Sequence, residues 1–469
     1  MALINEGIYP YRTGAVGTWC HRLVRGLPEH EYHIVALVDS VTERLYPPLA
    51  STPNLTALRV DGPPVGPPRG GHLSEERRLA THAAVLLCRG MLDDSAYSAA
   101  MFGAALRRIV DGTANGTNPL AGISLPSILL DAWAAARNAR SAGLPAAGTP
   151  RLPRPAMATA RVAAGLIDLA VRPLTAGLPT VDLCHVVNGG LSTMVALAAK
   201  WRNGTPFVVT EHSGYPYDPL LRRTRTDPAV RALILRFLRA LARLGYAEAA
   251  TVVPPSERMR RWELEHGAPR ERVTMVPPGV DPRDNPPLRQ EPAEPVIAWV
   301  GPDRERELVL AAFRAVREEV SQARLIVIGH PPEGSRPMGA SFTGPVANRR
   351  ALYGMAQLIA ISGNDAGMPY PLIEAMMCGR PTVCTESGGL ADMVGIGATV
   401  VPPDDPAALG RACVALLTDV RLRREMSNSA RQRSRTLFGL RTMLDGYQRV
   451  YAEATAAAAP ARAELVLTC

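Results

Sequence analysis

The stretch G-N-D-A-G-M-P-Y-P-L-I-E-A-M-M-C-G-R-P-T-V occupies residues 363–383 and lies within an alternation of strand and helix patterns. Short apolar runs that are typical of buried parallel strands surround it, at 296–301, 324–329, 358–362, 381–385 and 398–401. Helical patterns such as 305–320 separate these runs. The alternation predicts a doubly wound α/β domain, in which ligands bind at the carboxyl ends of the strands.

The N-terminal half of the chain repeats this alternation. Strands are predicted at 33–38, 181–187, 206–210, 250–254 and 273–277. Helices are predicted over 14–27, 190–202 and 228–246. Between the first and second of these predicted strands the sequence is rich in Ala and Leu with a helical period, and we interpret 74–177 as a helical insertion.

The predicted fold is therefore two doubly wound, Rossmann-like α/β domains that face a central cleft, with the helical insertion in the N-terminal domain. A Pro-rich, charged linker over 282–294 indicates the boundary. We expect an N-terminal acceptor-side domain over 1–285 and a C-terminal nucleotide-sugar-binding domain over 286–430. Residues 431–469 are expected to form a C-terminal helix that crosses back to the first domain, followed by a tail.

Composition limits the class of protein. A chain of 469 residues with 47% hydrophobic and 20% charged residues is typical of a globular protein of two domains. The net charge of +9 comes from Arg residues that are scattered, without a nucleic-acid recognition motif, so nucleic-acid binding is not expected. No apolar run reaches the length of a membrane span, and no signal peptide is recognisable, so we expect a cytoplasmic protein. Seven widely spaced cysteines predict reduced thiols.

The opening stretch resembles the donor site of retaining glycosyltransferases with the GT-B fold, of the GT4-like family. The match to P-x-x-x-x-E-A-M-x-x-G and the following proline falls on Pro369, Glu374, Ala375, Met376, Gly379 and Pro381. The resemblance implies that Glu374 binds the ribose hydroxyls of a nucleoside-diphosphate-sugar. The family's first glutamate, which helps to hold the donor sugar, falls on Ala366, and Asp365 beside it could replace it in part. The remaining donor-loop candidates are glycines, at Gly367, Gly388 and Gly389.

A second resemblance lies at the N-terminus, where residues 6–19 read E-G-I-Y-P-Y-R-T-G-A-V-G-T-W. This is similar to the signature of a GT-B subfamily of bacterial exopolysaccharide glycosyltransferases, the PelF type. Gly14 and Ala15 would begin a helix whose backbone N–H groups face the donor diphosphate. Taken alone, the pattern favours an ordinary strand–turn–helix junction, since a glycine turn before a helix is common.

A third resemblance is T-E-H-S-G-Y over residues 210–215, which is similar to the subfamily's T-E-H-G-x-Y after a strand. It implies that His212 lies near the transferred sugar, with Glu211 beside it. A structural histidine that caps a loop is the alternative interpretation of His212. The segment 267–281, which also resembles the family, is interpreted as architectural and not catalytic.

A second family feature, besides the glutamate at the position of Ala366, is altered. In the family, V-G-R-x-x-x-x-K supplies an Arg and a Lys that neutralise the donor diphosphate. Here Pro302 takes the place of the Arg and Glu307 falls at or near the Lys. Arg304 or Arg306 could substitute if the loop shifts, and both are predicted as catalytic candidates.

The predicted function is that of a hexosyltransferase. It would move a sugar from a UDP- or GDP-linked donor to a carbohydrate or lipid-linked acceptor, with retention of configuration. The nucleotide-sugar is a substrate, so neither a cofactor nor a metal is expected, and a peripheral contact with a membrane or a polysaccharide-synthesis machinery is possible. The alternative, motivated by Pro302, Glu307 and Ala366, is a catalytically impaired GT-B protein that acts as a scaffold or nucleotide-binding partner.

Overall fold

The computed structural model describes most of the chain. The described residues are 1–11, 14–38, 55–59, 74–93, 95, 97–112, 120, 122–140, 152–178, 180–213, 221, 227–288, 290–329, 337–344, 346, 349–362, 369–386 and 390–458. Residue contacts divide the chain into two compact units. Unit 1 comprises Met1–Pro254, Met259–Thr274 and the residues from Gln448 onward, and unit 2 comprises Pro255–Arg258 and Met275–Tyr447.

Unit 1 contains a sheet of six parallel strands in the order β3-β2-β1-β4-β5-β6. The strands are β1 (Ala2–Asn5), β2 (His33–Val38), β3 (Leu55–Arg59), β4 (Cys184–Val187), β5 (Phe207–Thr210) and β6 (Thr251–Val252). Its helices are α1 (Ala15–Gly26), α2 (Ser74–Leu92), α3 (Ser98–Gly112), α4 (Leu125–Arg140), α5 (Met157–Val171), α6 (Ser192–Asn203), α7 (Pro228–Glu248) and most of α8 (Glu257–Glu265). Four of these, α2 to α5, lie between β3 and β4 in the sequence.

Unit 2 contains a second sheet of six parallel strands, in the order β12-β11-β10-β7-β8-β9. The strands are β7 (Val296–Val300), β8 (Arg324–Val327), β9 (Ala340–Phe342), β10 (Leu358–Ile361), β11 (Thr382–Thr385) and β12 (Thr399–Val401). The helices are α9 (Arg306–Glu319), α10 (Arg349–Gly354), α11 (Tyr370–Met377), α12 (Leu390–Val394), α13 (Pro406–Thr418), α14 (Val420–Leu437) and the first part of α15 (Leu440–Ala458).

Both sheets form because their central strands are apolar on both faces, as strands that helices cover on both sides must be. All four residues of β1 are buried, and Ile4 pairs with Val35 on one side and Val186 on the other. In unit 2, β10 is buried along its whole length between β7 and β11. The carboxyl ends of β1, β4 and β5 therefore lie together at one edge of the first sheet.

The predicted fold class, two α/β domains built on parallel sheets with a helical insertion in the first, is confirmed. The strand predicted at 273–277 is wrong, because only an isolated bridge joins Val273 to Val252. Pro277 and Pro278 follow and cannot donate the backbone hydrogen bonds that a longer ladder needs. Residues 275–285, assigned from the sequence to the first domain, group by their contacts with unit 2.

Candidate functional site

The segment after β1 turns sharply and leads into α1. The Asn5 side chain holds this turn: its Oδ1 accepts the N–H groups of Ile8 and Tyr9 at 2.9 and 3.0 Å, and its Nδ2 donates to the Tyr9 carbonyl at 2.8 Å. Gly14 caps α1 with φ 145°, which a side chain would strain, and no described atom lies within 4 Å of the position that a Cβ would take. The first turn of α1, beginning at Ala15, presents N–H groups without partners inside the helix, as helix N-termini do.

His212 lies directly after β5 at the same edge of the sheet. It is fully buried, its backbone N–H donates to Asn188 Oδ1 at 2.9 Å, and its ring meets Trp19 edge to face at 4.6 Å. Within the part of the chain that the structure describes, neither ring nitrogen has a hydrogen-bond partner. Burial lowers the pKa of His212 to about 3, so the ring is neutral at physiological pH. A neutral imidazole offers one donor and one acceptor, which suits a sugar hydroxyl.

Glu211 precedes His212, and its carboxylate is bound within the domain. Its Oε1 accepts the Tyr246 hydroxyl at 2.7 Å. Glu263 is also fully buried, and burial followed by the charge of Glu211 raises the pKa of Glu263 well above its usual value. Glu211 also restricts position 189, in the turn after β4, to glycine, because a Cβ on Gly189 would lie 2.4 Å from the Glu211 Oε1. The contacts of Glu211 are structural, and its catalytic role stays a prediction.

Two residues that build this edge, Glu6 and Asn188, are not among those predicted from the sequence. The Glu6 Oε1 accepts the backbone N–H of Leu191 at 2.5 Å and that of Ser192 at 3.4 Å, and so ties the segment after β1 to the start of α6. Asn188 has φ 67° and orients the His212 backbone. The signal for Asn188 was present, since N-G-G after an apolar run marks a turn. Glu6 stood inside the N-terminal signature, but its partner is 185 residues away.

His185 on β4 is a buried scaffold residue. Its Nδ1 lies 2.7 Å from the Tyr451 hydroxyl and its Nε2 lies 2.8 Å from Thr210 Oγ1, so both ring nitrogens are engaged. Its ring also meets Trp19 edge to face at 5.5 Å. Trp19 therefore contacts both histidine rings.

In unit 2, Glu374 lies on α11, which follows β10 in the sequence. It is 7% exposed. Arg349, at the start of α10, donates two hydrogen bonds to this carboxylate, from Nε to Oε2 at 2.9 Å and from Nη2 to Oε1 at 3.0 Å. The Tyr353 hydroxyl donates to Oε2 at 3.5 Å. Arg349 is not among the residues predicted from the sequence, because a lone Arg in a polar stretch carries no signal of its own.

The two candidate arginines each have a carboxylate nearby in their own turn. Arg306 forms an ion pair with Asp303. The more exposed Arg304 lies 3.7 Å from the Glu305 carboxylate. Glu307 stands in the first turn of α9, where a carboxylate favours the helix N-terminus. This position explains why a carboxylate at Glu307 is compatible with the helix. The catalytic role of Arg304 or Arg306 stays a prediction.

The remaining candidates, Asp365, Gly367, Gly388 and Gly389, lie outside the described residues, as does Ala366. In the described ranges, no three His, Cys, Asp or Glu side chains come together as a group that could hold a metal ion. No helix there is both long and apolar enough to cross a membrane.

Comparison with protein families gives three matches. Residues 294–419 match the model "Glycosyl transferases group 1", which covers the unit 2 sheet and Glu374. Residues 132–284 match "Glycosyltransferase Family 4", which covers β4 to β6 and His212. Residues 1–59 match a domain of unknown function.

Curated relatives carry names of glycosyltransferases. A D-inositol 3-phosphate glycosyltransferase of Salinispora arenicola is 27% identical over 329 residues, which is 61% of this chain and 72% of that protein. One from Nocardia farcinica is 33% identical over 216 residues, 38% of this chain and 47% of that protein. The N-acetyl-alpha-D-glucosaminyl L-malate synthase of Bacillus anthracis is 26% identical over 155 residues, 30% of this chain and 40% of that protein.

Solved structures share the fold over nearly the whole chain. Anabaena HepE, crystallised with UDP and glucose, superposes with a TM-score of 0.55 at 12% identity, covering 96% of this chain and 99% of that one. Sucrose-phosphate synthase from Thermosynechococcus elongatus gives a TM-score of 0.53 at 16% identity, covering 97% and 99%. Residues 132–284 and 294–419 are therefore similar to glycosyltransferases of family 4 and group 1, and the fold is that of GT-B glycosyltransferases.

Proposed function

We propose that this chain transfers a sugar from a nucleoside-diphosphate-sugar, of the UDP or GDP type, to a carbohydrate or lipid-linked acceptor with retention of configuration. One observation carries the proposal: in each unit, candidate residues follow the carboxyl ends of parallel strands, Gly14 and His212 after β1 and β5 in unit 1 and Glu374 after β10 in unit 2. Ligands of an open parallel sheet bind at its carboxyl edge. The names of relatives that transfer sugars, and the UDP-glucose bound to Anabaena HepE, support a donor of this class.

Each residue has a chemical task in this proposal. The N-terminus of α1 behind Gly14 would stabilise the negative charge of the donor diphosphate. Glu374 would accept the ribose hydroxyls, and the neutral ring of His212 would hydrogen-bond the sugar during transfer. Arg304 or Arg306 would assist departure of the nucleoside diphosphate after leaving its carboxylate neighbour.

The finer features of the proposal follow from the same resemblance. We propose a hexosyltransferase of the PelF type that acts in the cytoplasm, with Asp365, Gly367, Gly388 and Gly389 in the donor loops and Glu211 supporting His212. The nucleotide-sugar is its substrate, and no separate cofactor takes part. Contact with a membrane or with a polysaccharide-synthesis machinery would come through the acceptor.

A turnover assay tests the proposal. The protein is incubated with a panel of UDP- and GDP-sugars, released nucleoside diphosphate is measured, and NMR gives the anomeric configuration of the product. We expect one donor to be consumed with retention. Glu374→Ala should lower kcat/KM by about 10-fold or more, since hydrogen bonds to a charged acceptor contribute about 1.5–3 kcal/mol each.

The control is Glu294→Ala, which removes an exposed carboxylate from a surface ion pair with Arg324 in the same unit. The proposal is contradicted if no donor is consumed, or if Glu374→Ala behaves like Glu294→Ala. Donor binding without any turnover would favour the alternative function, a nucleotide-binding scaffold.

A further inference from the structure

The ion pair between Arg349 and Glu374 lies where the proposed function needs a carboxylate. The fork of Arg349 faces both carboxylate oxygens, and its Nη2 is 2.8 Å from the nearer one. The Glu374 side chain is 9% exposed and that of Arg349 is 38% exposed. A bidentate guanidinium–carboxylate pair fixes the direction of the carboxylate as well as its charge state.

The direction of this carboxylate is set from two sides. Arg349 begins α10 and Tyr353 ends its first turn, and both side chains donate to Glu374 on α11. Tyr353 is itself buried, and its hydroxyl also approaches the Pro371 carbonyl at 3.1 Å. The carboxylate is therefore held between two helices and is poorly able to rotate.

Charge is the second consequence of the pair. An uncompensated carboxylate beside a diphosphate would repel it. The cations that the family uses against the diphosphate are replaced by Pro302 and Glu307. The two candidate replacements, Arg304 and Arg306, have carboxylates as neighbours. The guanidinium of Arg349 forms an ion pair with Glu374, and the net charge of that pair is zero.

We propose that Arg349 is a positioning residue for the donor nucleotide. It holds the Glu374 carboxylate in the orientation that accepts the ribose hydroxyls, and it cancels the charge of that carboxylate so that an anionic diphosphate can bind beside it. This inference rests on the proposed function and adds a residue that the family pattern does not contain.

The test separates charge from orientation by calorimetric titration with uridine, guanosine, UDP and GDP. Arg349→Met removes the charge and the fork, and Arg349→Lys keeps the charge without the fork. We expect Arg349→Met to weaken diphosphate binding by about 10-fold to 100-fold, and nucleoside binding by less. Arg349→Lys should weaken both to a similar degree, because it loses mainly the orientation of the carboxylate.

A rescue variant makes the test specific. In Arg349→Met, adding Glu374→Gln removes the uncompensated charge, so diphosphate binding should recover by several-fold relative to the single variant. A merely structural role for Arg349 would give no such recovery. Arg324→Met is the matched control, because it makes the same charge change in an exposed ion pair of the same unit.

The outcomes are distinct. If wild-type protein binds none of the four compounds, the proposed function fails and this inference fails with it. If wild-type protein binds a diphosphate and Arg349→Met binds it as tightly as Arg324→Met, the inference alone is overturned. Equal loss of nucleoside and diphosphate in Arg349→Met, with no rescue by Glu374→Gln, also overturns it. Denaturant unfolding of each variant identifies misfolded protein, and the Lys and double variants decide the matter if Arg349→Met does not fold.

Discussion

Two buried histidines, His185 and His212, both contact the ring of Trp19 edge to face. Burial lowers the pKa of each to about 3, with a smaller contribution from the neighbouring His212 in the case of His185. In the unfolded chain each would titrate near its ordinary value of about 6.5. Below that pH the unfolded state binds more protons than the folded state, so acid favours unfolding.

We therefore predict that the free energy of unfolding falls as the pH is lowered from 7 towards 4. Each buried histidine should contribute up to about 1.4 kcal/mol per pH unit below pH 6.5. In urea unfolding, the free energy of unfolding of His212→Asn should depend less steeply on pH than that of wild-type protein. The difference in slope should correspond to about one proton fewer taken up on unfolding. His82→Asn, a change on an exposed face of α2, is the control. An unchanged slope in His212→Asn would contradict the assignment of a buried neutral ring.

Gly189 should be intolerant of any side chain. Its φ of 52° is strained for other residues, and a Cβ would lie 2.4 Å from Glu211 Oε1. Gly204 has a similar φ of 72°, but no described atom lies within 4 Å of its Cβ position. Gly204→Ala should cost about 1 kcal/mol of stability through backbone strain alone. Gly189→Ala should cost about 2–4 kcal/mol, because it also displaces a buried carboxylate that Tyr246 binds. Equal losses in denaturant unfolding would show that the Glu211 contact is unimportant.

Sequence patterns located some of these residues and not others. His212 was found because T-E-H follows an apolar run that becomes β5. Arg349 was not, since its role depends on a partner 25 residues away on another helix. Glu6 contacts the start of α6 only because β1 and β4 are neighbours in the sheet. Such pairings arise from topology, which local patterns do not specify.

The segment after Thr274 packs against the start of α15 without forming a β-strand. Val280 donates its N–H to the Phe438 carbonyl at 2.8 Å, and accepts the N–H of Leu440 at 2.9 Å. Gly279 packs so closely on the start of α15 that a Cβ would lie 2.8 Å from both Leu440 Cα and Met443 Cβ. The architectural interpretation of 267–281 agrees with these contacts, although the strand predicted within the segment does not form.

We predict that Gly279→Ala destabilises the protein by about 1–3 kcal/mol, the usual cost of overpacking a close contact. The atoms it would meet belong to a helix backbone and a Cβ, which cannot move aside as a flexible side-chain end could. Gly165→Ala is the control: it lies on α5 with no described atom within 4 Å of its Cβ position, so it should be neutral or slightly stabilising. Thermal or urea unfolding of both variants decides the question, and a neutral Gly279→Ala would contradict the packing described.

Strand prediction depended on the length of the apolar run. The run at 33–38 became β2 with the same bounds, because its residues are almost all buried. The short edge strand β9 is only partly buried and carries no continuous apolar run, so it was not predicted. The central strand β1 was not predicted either, although all four of its residues are buried, because A-L-I-N contains only three apolar residues in succession.

Across the molecule, the alternation of apolar runs and helical patterns was enough to predict two parallel α/β sheets. The four helices between β3 and β4 were recognised as an insertion from their Ala- and Leu-rich pattern. The expected C-terminal helix that crosses back to the first domain can be compared with the grouping by contacts: α15 begins in unit 2, and the residues from Gln448 onward group with unit 1. A continuous helical pattern does not indicate the residue at which these contacts change.

The most direct test of a nucleotide-sugar site on this fold is isothermal titration of wild-type protein and Glu374→Ala with UDP, GDP and their common sugar conjugates. We predict that wild-type protein binds one nucleotide and its sugar conjugate with a Kd in the micromolar range, about 8 kcal/mol of binding free energy. Glu374→Ala should abolish detectable binding. Absence of binding to every compound by correctly folded wild-type protein would contradict the proposed donor site.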